Sequence, residues 1–104
     1  MLDVITSRKN EWVRYAAKLA SSAEFRRSEG LFILEGARLC ADAADSGIVI
    51  QTLFYTEQAA QRYKPYLERI MPLAAHRCFI APHVAELLAE TKTTQGIFCV
   101  CQKR

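Results

Sequence analysis

At 104 residues the chain has room for one compact domain and not for two. About half of its residues are hydrophobic and 24% are charged, a balance that suits a packed core and excludes a disordered or fibrous chain. The formal charge is +3, and all of it falls in residues 1–27, where Arg8, Lys9, Arg14, Lys18, Arg26 and Arg27 outnumber Asp3, Glu11 and Glu24. Clustered positive charge is the footprint of a polyanion binder, although a solvated helix face leaves the same mark.

No apolar run approaches the roughly 18 residues of a membrane span, and the first residues lack the apolar segment of a secretory signal. The expected setting is the cytoplasm, with no membrane contact. The four cysteines, Cys40, Cys78, Cys99 and Cys101, then read as reduced, buried small hydrophobes. Cys99 and Cys101 share one face of a strand. No Cys-x-x-Cys pair or nearby histidine completes a zinc set, so no metal is expected.

In chain order, Asn10 is a good N-cap for a helix over 11–20. Its apolar face is expected to run through Trp12, Ala16, Leu19 and Ala20, with Glu11, Arg14 and Lys18 elsewhere. A short charged turn over 23–29 leads to Gly30. Leu31–Leu34 reads as a buried strand between Gly30 and Glu35-Gly36. Residues 37–46 resume helical spacing through Leu39, Cys40, Ala43 and Ala44, and Gly47 stops them. A second strand spans 48–55. Residues 57–71 read as helix interrupted at Pro65, which suits the first turn of a new helix over 65–71. A third strand at 77–80, a helix over 82–90, a polar loop at 91–95 and a strand at 96–101 complete the chain. The alternation predicts an α/β fold: a compact three-layer sandwich on a mixed sheet of about four strands. The whole of 1–104 is one domain, with a basic helical region at 1–29 and an α/β core at 30–101.

Nothing in this pattern signals catalysis. His76 and His83 have no Ser, Cys or carboxylate at a spacing that makes a triad or a metal site. The four glycines stand singly at element boundaries and form no phosphate loop.

Three segments carry a family likeness. Ile5-Thr6-Ser7-Arg8-Lys9-Asn10 with Val13 and Lys18-Leu19 is the first. The second is Arg26-Arg27 followed by Phe32-Ile33-Leu34-Glu35-Gly36, and the third is Thr93-Thr94-Gln95-Gly96-Ile97. In this order they resemble the N-terminal substrate-binding domain of the TrmH/SpoU family of RNA 2′-O-ribose methyltransferases. Thr94 stands where that family usually has proline, which makes a less rigid loop. The resemblance implies a fold similar to ribosomal proteins that bind kinked RNA. It implies recognition of rRNA or tRNA for a methyl transfer performed by a second, knotted domain, which binds S-adenosylmethionine and forms a homodimer. That domain's motifs are absent here, so neither catalytic residue nor cofactor is expected on this chain, whether it is an excised domain or a truncated protein. A stand-alone RNA-binding protein of the kink-turn type is the alternative. A protein-interaction module with an incidental basic face is a third.

The expected RNA-contacting set is Arg8, Lys9, Asn10, Arg14, Lys18, Arg26, Arg27, Glu35, Gly36, Arg38, Lys92, Thr93 and Gln95. The cations neutralise phosphates, and a guanidinium can hold one by two parallel bonds. Gly36, between strand and helix, lets RNA approach free backbone N–H groups. Glu35 can accept from base amino groups, hold Arg26 or Arg38, or sit favourably at a helix N-terminus. Trp12, Tyr15 and Phe25 are candidates for base stacking, with Trp12 read mainly as core. The charges are read as exposed, so removing Arg26 and Arg27 is expected to leave folding intact.

Overall fold

The structure is a computed structural model that describes residues 3–89 and 93–103. Its helices are α1 (Glu11–Ser21), α2 (Ala23–Glu29), α3 (Ala37–Asp45), α4 (Glu57–Arg62), α5 (Lys64–Ile70) and α6 (Pro82–Leu88). Its strands are β1 (Leu31–Glu35), β2 (Ile50–Tyr55), β3 (Ala74–Phe79) and β4 (Ile97–Gln102). They form one sheet in the order β1-β4-β2-β3. β2 and β3 are parallel, and β4 runs antiparallel to both of its neighbours. β1, β2 and β3 therefore all point one way, with β4 reversed between β1 and β2.

Helices cover both faces, as the α/β sandwich requires. On one face Val13, Ala16 and Leu19 of α1 and Val84, Ala85 and Leu88 of α6 pack with Phe54, Cys78, Phe98 and Val100. On the other, Ala37, Cys40, Ala41 and Ala44 of α3 and Leu67 and Ile70 of α5 pack with Leu53, Ile97, Cys99 and Cys101. β4 is central and, up to Cys101, buried throughout, which is why its residues read as an unbroken apolar run. No helix among the described residues is long and apolar enough to cross a membrane.

Several boundaries and faces differ from the sequence reading. Ala16 and Leu19 of the expected α1 face are buried, with Val13 taking the place expected for Trp12. Trp12 is 40% exposed, and its ring rests beside His76 on the edge strand β3, with centroids 4.6 Å apart. The helix thus ends its contact with the sheet at that edge, and Trp12 overhangs it. Leu39 is likewise 51% exposed. α3 approaches the sheet on alanine and cysteine instead, small residues that let a helix sit close. β2 begins at Ile50, because Ile48 and Val49 close off α3 and Val49 faces solvent. β3 begins at Ala74, three residues early, on an exposed edge where Ala-Ala-His carries little strand signal.

All four cysteines are free and buried. Burial pushes the Cys78 thiol up to about 11 and, with Cys40 adding to it, Cys101 to about 12. Cys99 is also raised, chiefly by its hydrogen bond with Cys40 and by burial.

Candidate nucleic-acid interface

The strand directions gather one set of loops. The carboxyl ends of β1, β2 and β3 and the amino end of β4 all lie at the same end of the sheet. In α/β sheets this is where ligands bind, because loops and helix N-termini converge there. Here the converging segments are Glu35–Arg38 into α3, Thr56–Gln58 into α4, Ala81–His83 into α6, and Thr93–Gly96 into β4.

Backbone geometry locks these segments together. Gly36 adopts φ 110°, outside the range of ordinary side chains, and its N–H donates to the Ile97 carbonyl at 2.9 Å. The next N–H, that of Ala37, donates to Gln95 Oε1 at 2.7 Å. It belongs to the first turn of α3, whose N–H groups have no partners within the helix. Gly96 (φ 76°) accepts from the Thr56 N–H at 3.0 Å, and its own N–H donates to Thr94 Oγ1 at 3.1 Å. A Cβ at Gly96 would lie 2.5 Å from Thr56 Oγ1, so only glycine fits against this threonine. Thr56 in turn caps α4 by accepting from Ala59 N–H at 3.1 Å.

The N-terminal segment joins the same end. Ile5 pairs in parallel with Ile80, its N–H donating to Phe79 O at 2.7 Å while its carbonyl accepts from Ala81 N–H at 2.9 Å. The chain then passes the end of β3, where the Thr6 carbonyl meets the His83 ring, and turns at Ser7–Asn10 into α1. Arg8 and Lys9, both exposed, project from that turn.

The expected contact set is therefore divided. Arg8, Lys9, Gly36, Arg38, Thr93 and Gln95 lie at the strand ends, with Arg38 exposed in the first turn of α3. Lys92 lies outside the described residues. Glu35 ends β1 opposite Phe98, half-buried, with no ion pair to Arg26 or Arg38 among the described residues. Asn10 is a cap: its Oδ1 accepts from Trp12 N–H at 2.9 Å and Val13 N–H at 3.3 Å. Arg14, Lys18, Arg26 and Arg27 belong to α1 and α2, and α2 leads into the opposite, amino end of β1.

Several of the latter are engaged within the fold. Arg26 is half-buried, and its Nη1 donates to the carbonyls of Leu19 at 2.6 Å and Ala20 at 3.2 Å. It closes the last turn of α1, so the expectation that it is a dispensable exposed charge is corrected. Lys18 Nζ stands 4.3 Å from the Phe25 ring centroid. Phe25 packs edge-on against Tyr15, whose hydroxyl donates to Glu29. Burial and that carboxylate push the Tyr15 hydroxyl up to about 12. The N-terminal charge excess is thus partly structural.

Sequence reasoning missed three residues at the strand ends. A cleft of about 430 Å³ opens between α4 and the loop before β4, lined by Gln58, Arg62, Tyr63, Thr93, Thr94 and Gln95. Gln58, Arg62 and Tyr63 sit in what reads as an ordinary helix, and no motif marks them. Among the described residues no cluster of His, Cys, Asp or Glu is arranged to hold a metal. The buried polar side chains there are Thr52 and Thr56.

Known proteins share part of this sequence and this fold. Over a 38-residue stretch, 36% of the chain, it is 53% identical to rRNA methyltransferase 3, mitochondrial, of Xenopus laevis and 50% identical to that of Xenopus tropicalis. The stretch is 9% of each relative. The fold matches an rRNA methyltransferase from Sinorhizobium meliloti with a TM-score of 0.80 at 20% identity, over 99% of this chain and 38% of that one. It matches an RNA 2′-O ribose methyltransferase at 0.78 and the SpoU methyltransferase AviRb from Streptomyces viridochromogenes at 0.72, covering 38% and 36% of those chains. The chain thus spans under two-fifths of the solved proteins it resembles. A model of the MRM3-like substrate binding domain matches residues 10–99. The resemblance to the substrate-binding domain of these RNA methyltransferases is borne out, and the chain belongs to the MRM3-like substrate binding domain family.

Proposed function

We propose that this domain holds RNA at the carboxyl ends of β1–β3 and presents a ribose to an S-adenosylmethionine-dependent 2′-O-methyltransferase. The catalytic part is of the kind that makes up the rest of the solved relatives, and it supplies the cofactor site and the dimer contact. The observation that carries this reading is the convergence at one sheet end of Arg8, Lys9, Arg38, the first turn of α3 and the Gln95 carboxamide. Exposed guanidinium and ammonium groups there neutralise phosphates. The α3 N-terminus favours negative charge, and Gly36 keeps side-chain bulk away from it.

The roles divide by chemistry. Arg8 and Lys9 stand on a short turn and act as point charges on the backbone. Arg38 is fixed on a helix and can offer a planar fork to one phosphate. Gln95 braces the loop before β4 against α3. Nuclear magnetic resonance tests this directly. Adding a short structured RNA to the labelled domain should shift the amides of residues 6–9, 36–39 and 94–96, and leave those around Arg27 and Lys103 in place. Shifts confined to α1 and α2 would move the interface to the other basic cluster.

A further inference from the structure

The strand-end face is not simply basic. Glu35, Glu57 and Glu86 share it with the cations, so charge alone gives RNA a modest hold. The cleft beside α4 differs in kind. Its lining holds two carboxamides, a guanidinium, a phenol ring and two threonines, with no carboxylate among the described residues. Its volume of about 430 Å³ falls in the range of about 300–1,000 Å³ typical of pockets for small ligands.

The orientation of its groups narrows the ligand. Gln95 Oε1 is taken by the Ala37 N–H at 2.7 Å, which fixes the amide flip and leaves Nε2 as a donor. Gln58 is exposed and has no side-chain partner among the described residues, so it can turn either its oxygen or its nitrogen to a ligand. Arg62 Cζ lies 5.7 Å from the Tyr63 ring centroid, and Tyr63 is half-buried, so the guanidinium rests on a fixed support. Arg62 makes no ion pair among the described residues. A phosphate alone needs cations, not carboxamides. A nucleobase edge needs paired donors and acceptors, which carboxamides supply, and its face stacks on aromatic rings and guanidinium planes.

We infer that the cleft lined by Gln58, Arg62, Tyr63 and Gln95 takes a single unstacked nucleobase of the bound RNA. The base presents an acceptor to Gln95 Nε2, a second edge group to Gln58 and its flat face to the Arg62–Tyr63 wall. The flanking phosphate reaches the Arg62 guanidinium. A base inside a duplex is stacked and paired and cannot enter, so the occupant comes from a bulge, loop or kink. The inference rests on the RNA reading of this face.

The test uses the whole chain and two RNA hairpins, identical except that one carries a single bulged 2-aminopurine. The parent should bind the bulged hairpin at least about tenfold more tightly, the scale of one stacked base. The 2-aminopurine emission should change on saturation. A variant carrying Gln58→Ala and Arg62→Ala, both at exposed sites, should keep the parent's circular dichroism and lose the preference. Equal binding of both hairpins by the parent, or an undiminished preference in the variant, overturns the base pocket and leaves the RNA reading standing. Binding of neither hairpin by the parent overturns both.

Discussion

The side chain of Gln95 accepts the backbone N–H of Ala37 at 2.7 Å, joining the loop before β4 to the first turn of α3 across 58 residues of sequence. Replacing Gln95 by Ala leaves that N–H to solvent and should cost about 0.5–1.5 kcal/mol. Gln95→Glu keeps an acceptor and adds a charge that the α3 N-terminus favours, so stability should hold. RNA affinity should fall in both, because the Glu variant lacks the donor and repels phosphate. Thermal unfolding and RNA titration of the two variants separate bracing from contact. A Glu variant that binds like the parent would remove Gln95 from the interface.

Arg26 and Arg27 are neighbours with different work. Arg26 caps the end of α1 through the Leu19 and Ala20 carbonyls, while Arg27 is exposed. Arg26→Ala should destabilise by about 1–2 kcal/mol, the scale of a charge-assisted bond to partly buried carbonyls. Arg27→Ala should stay within about 0.5 kcal/mol. Urea unfolding of the single variants measures the difference. Equal midpoints would show that the cap contributes nothing in solution.

Gly96→Ala places a Cβ 2.5 Å from Thr56 Oγ1 at a backbone φ of 76°. Backbone strain and overpacking act together and should cost about 1–3 kcal/mol. The loop that carries Gln95 should move with it, weakening RNA binding beyond the stability loss. A variant with an unchanged melting temperature would mean that Thr56 can turn aside freely.

Stability should fall in alkali. Cys78 and Cys101 are raised from 9.0 to about 11 and about 12, and Cys99 is raised as well. Below the ordinary thiol range both folded and unfolded states are protonated, and the full stability is present. Above it the unfolded thiols ionise first, so stability declines by roughly 1.4 kcal/mol per pH unit for each thiol. The decline continues until pH passes the folded values. Urea midpoints should be level up to about pH 8 and drop from there to pH 10. A level profile across that interval would contradict the buried, protonated thiols.

Much of the fold was legible because local signals agreed with tertiary demands. Asn10 capped α1, Pro65 fell in the first turn of α5, and the apolar runs at 31–34 and 97–101 became β1 and β4. The readings that moved depended on neighbours. Trp12 and Leu39 fit their helices' apolar spacing equally well inside or at the rim, and only the sheet's edge decides. β3 was foreshortened because its first residues are exposed and weak strand formers. The site was half legible. Motifs marked Glu35-Gly36 and Gln95, but charge counting merged the Arg8-Lys9 turn at the carboxyl ends with cations carried along α1 and α2. Gln58, Arg62 and Tyr63 carried no signal, since their meeting with Thr94 and Gln95 exists only after folding.

The salt dependence of RNA binding in two triple variants tests the interface most directly. One replaces Arg8, Lys9 and Arg38 by Ala at the strand ends, and the other replaces Arg14, Lys18 and Arg27 on α1 and α2. The strand-end variant should bind a structured RNA more weakly and show a slope of log affinity against log salt that is shallower by about two to three, as released counterions fall. The α1–α2 variant should stay within about one unit of the parent's slope. Equal slopes for the two variants, or the larger change in the α1–α2 variant, would contradict an RNA site at the carboxyl ends of β1, β2 and β3.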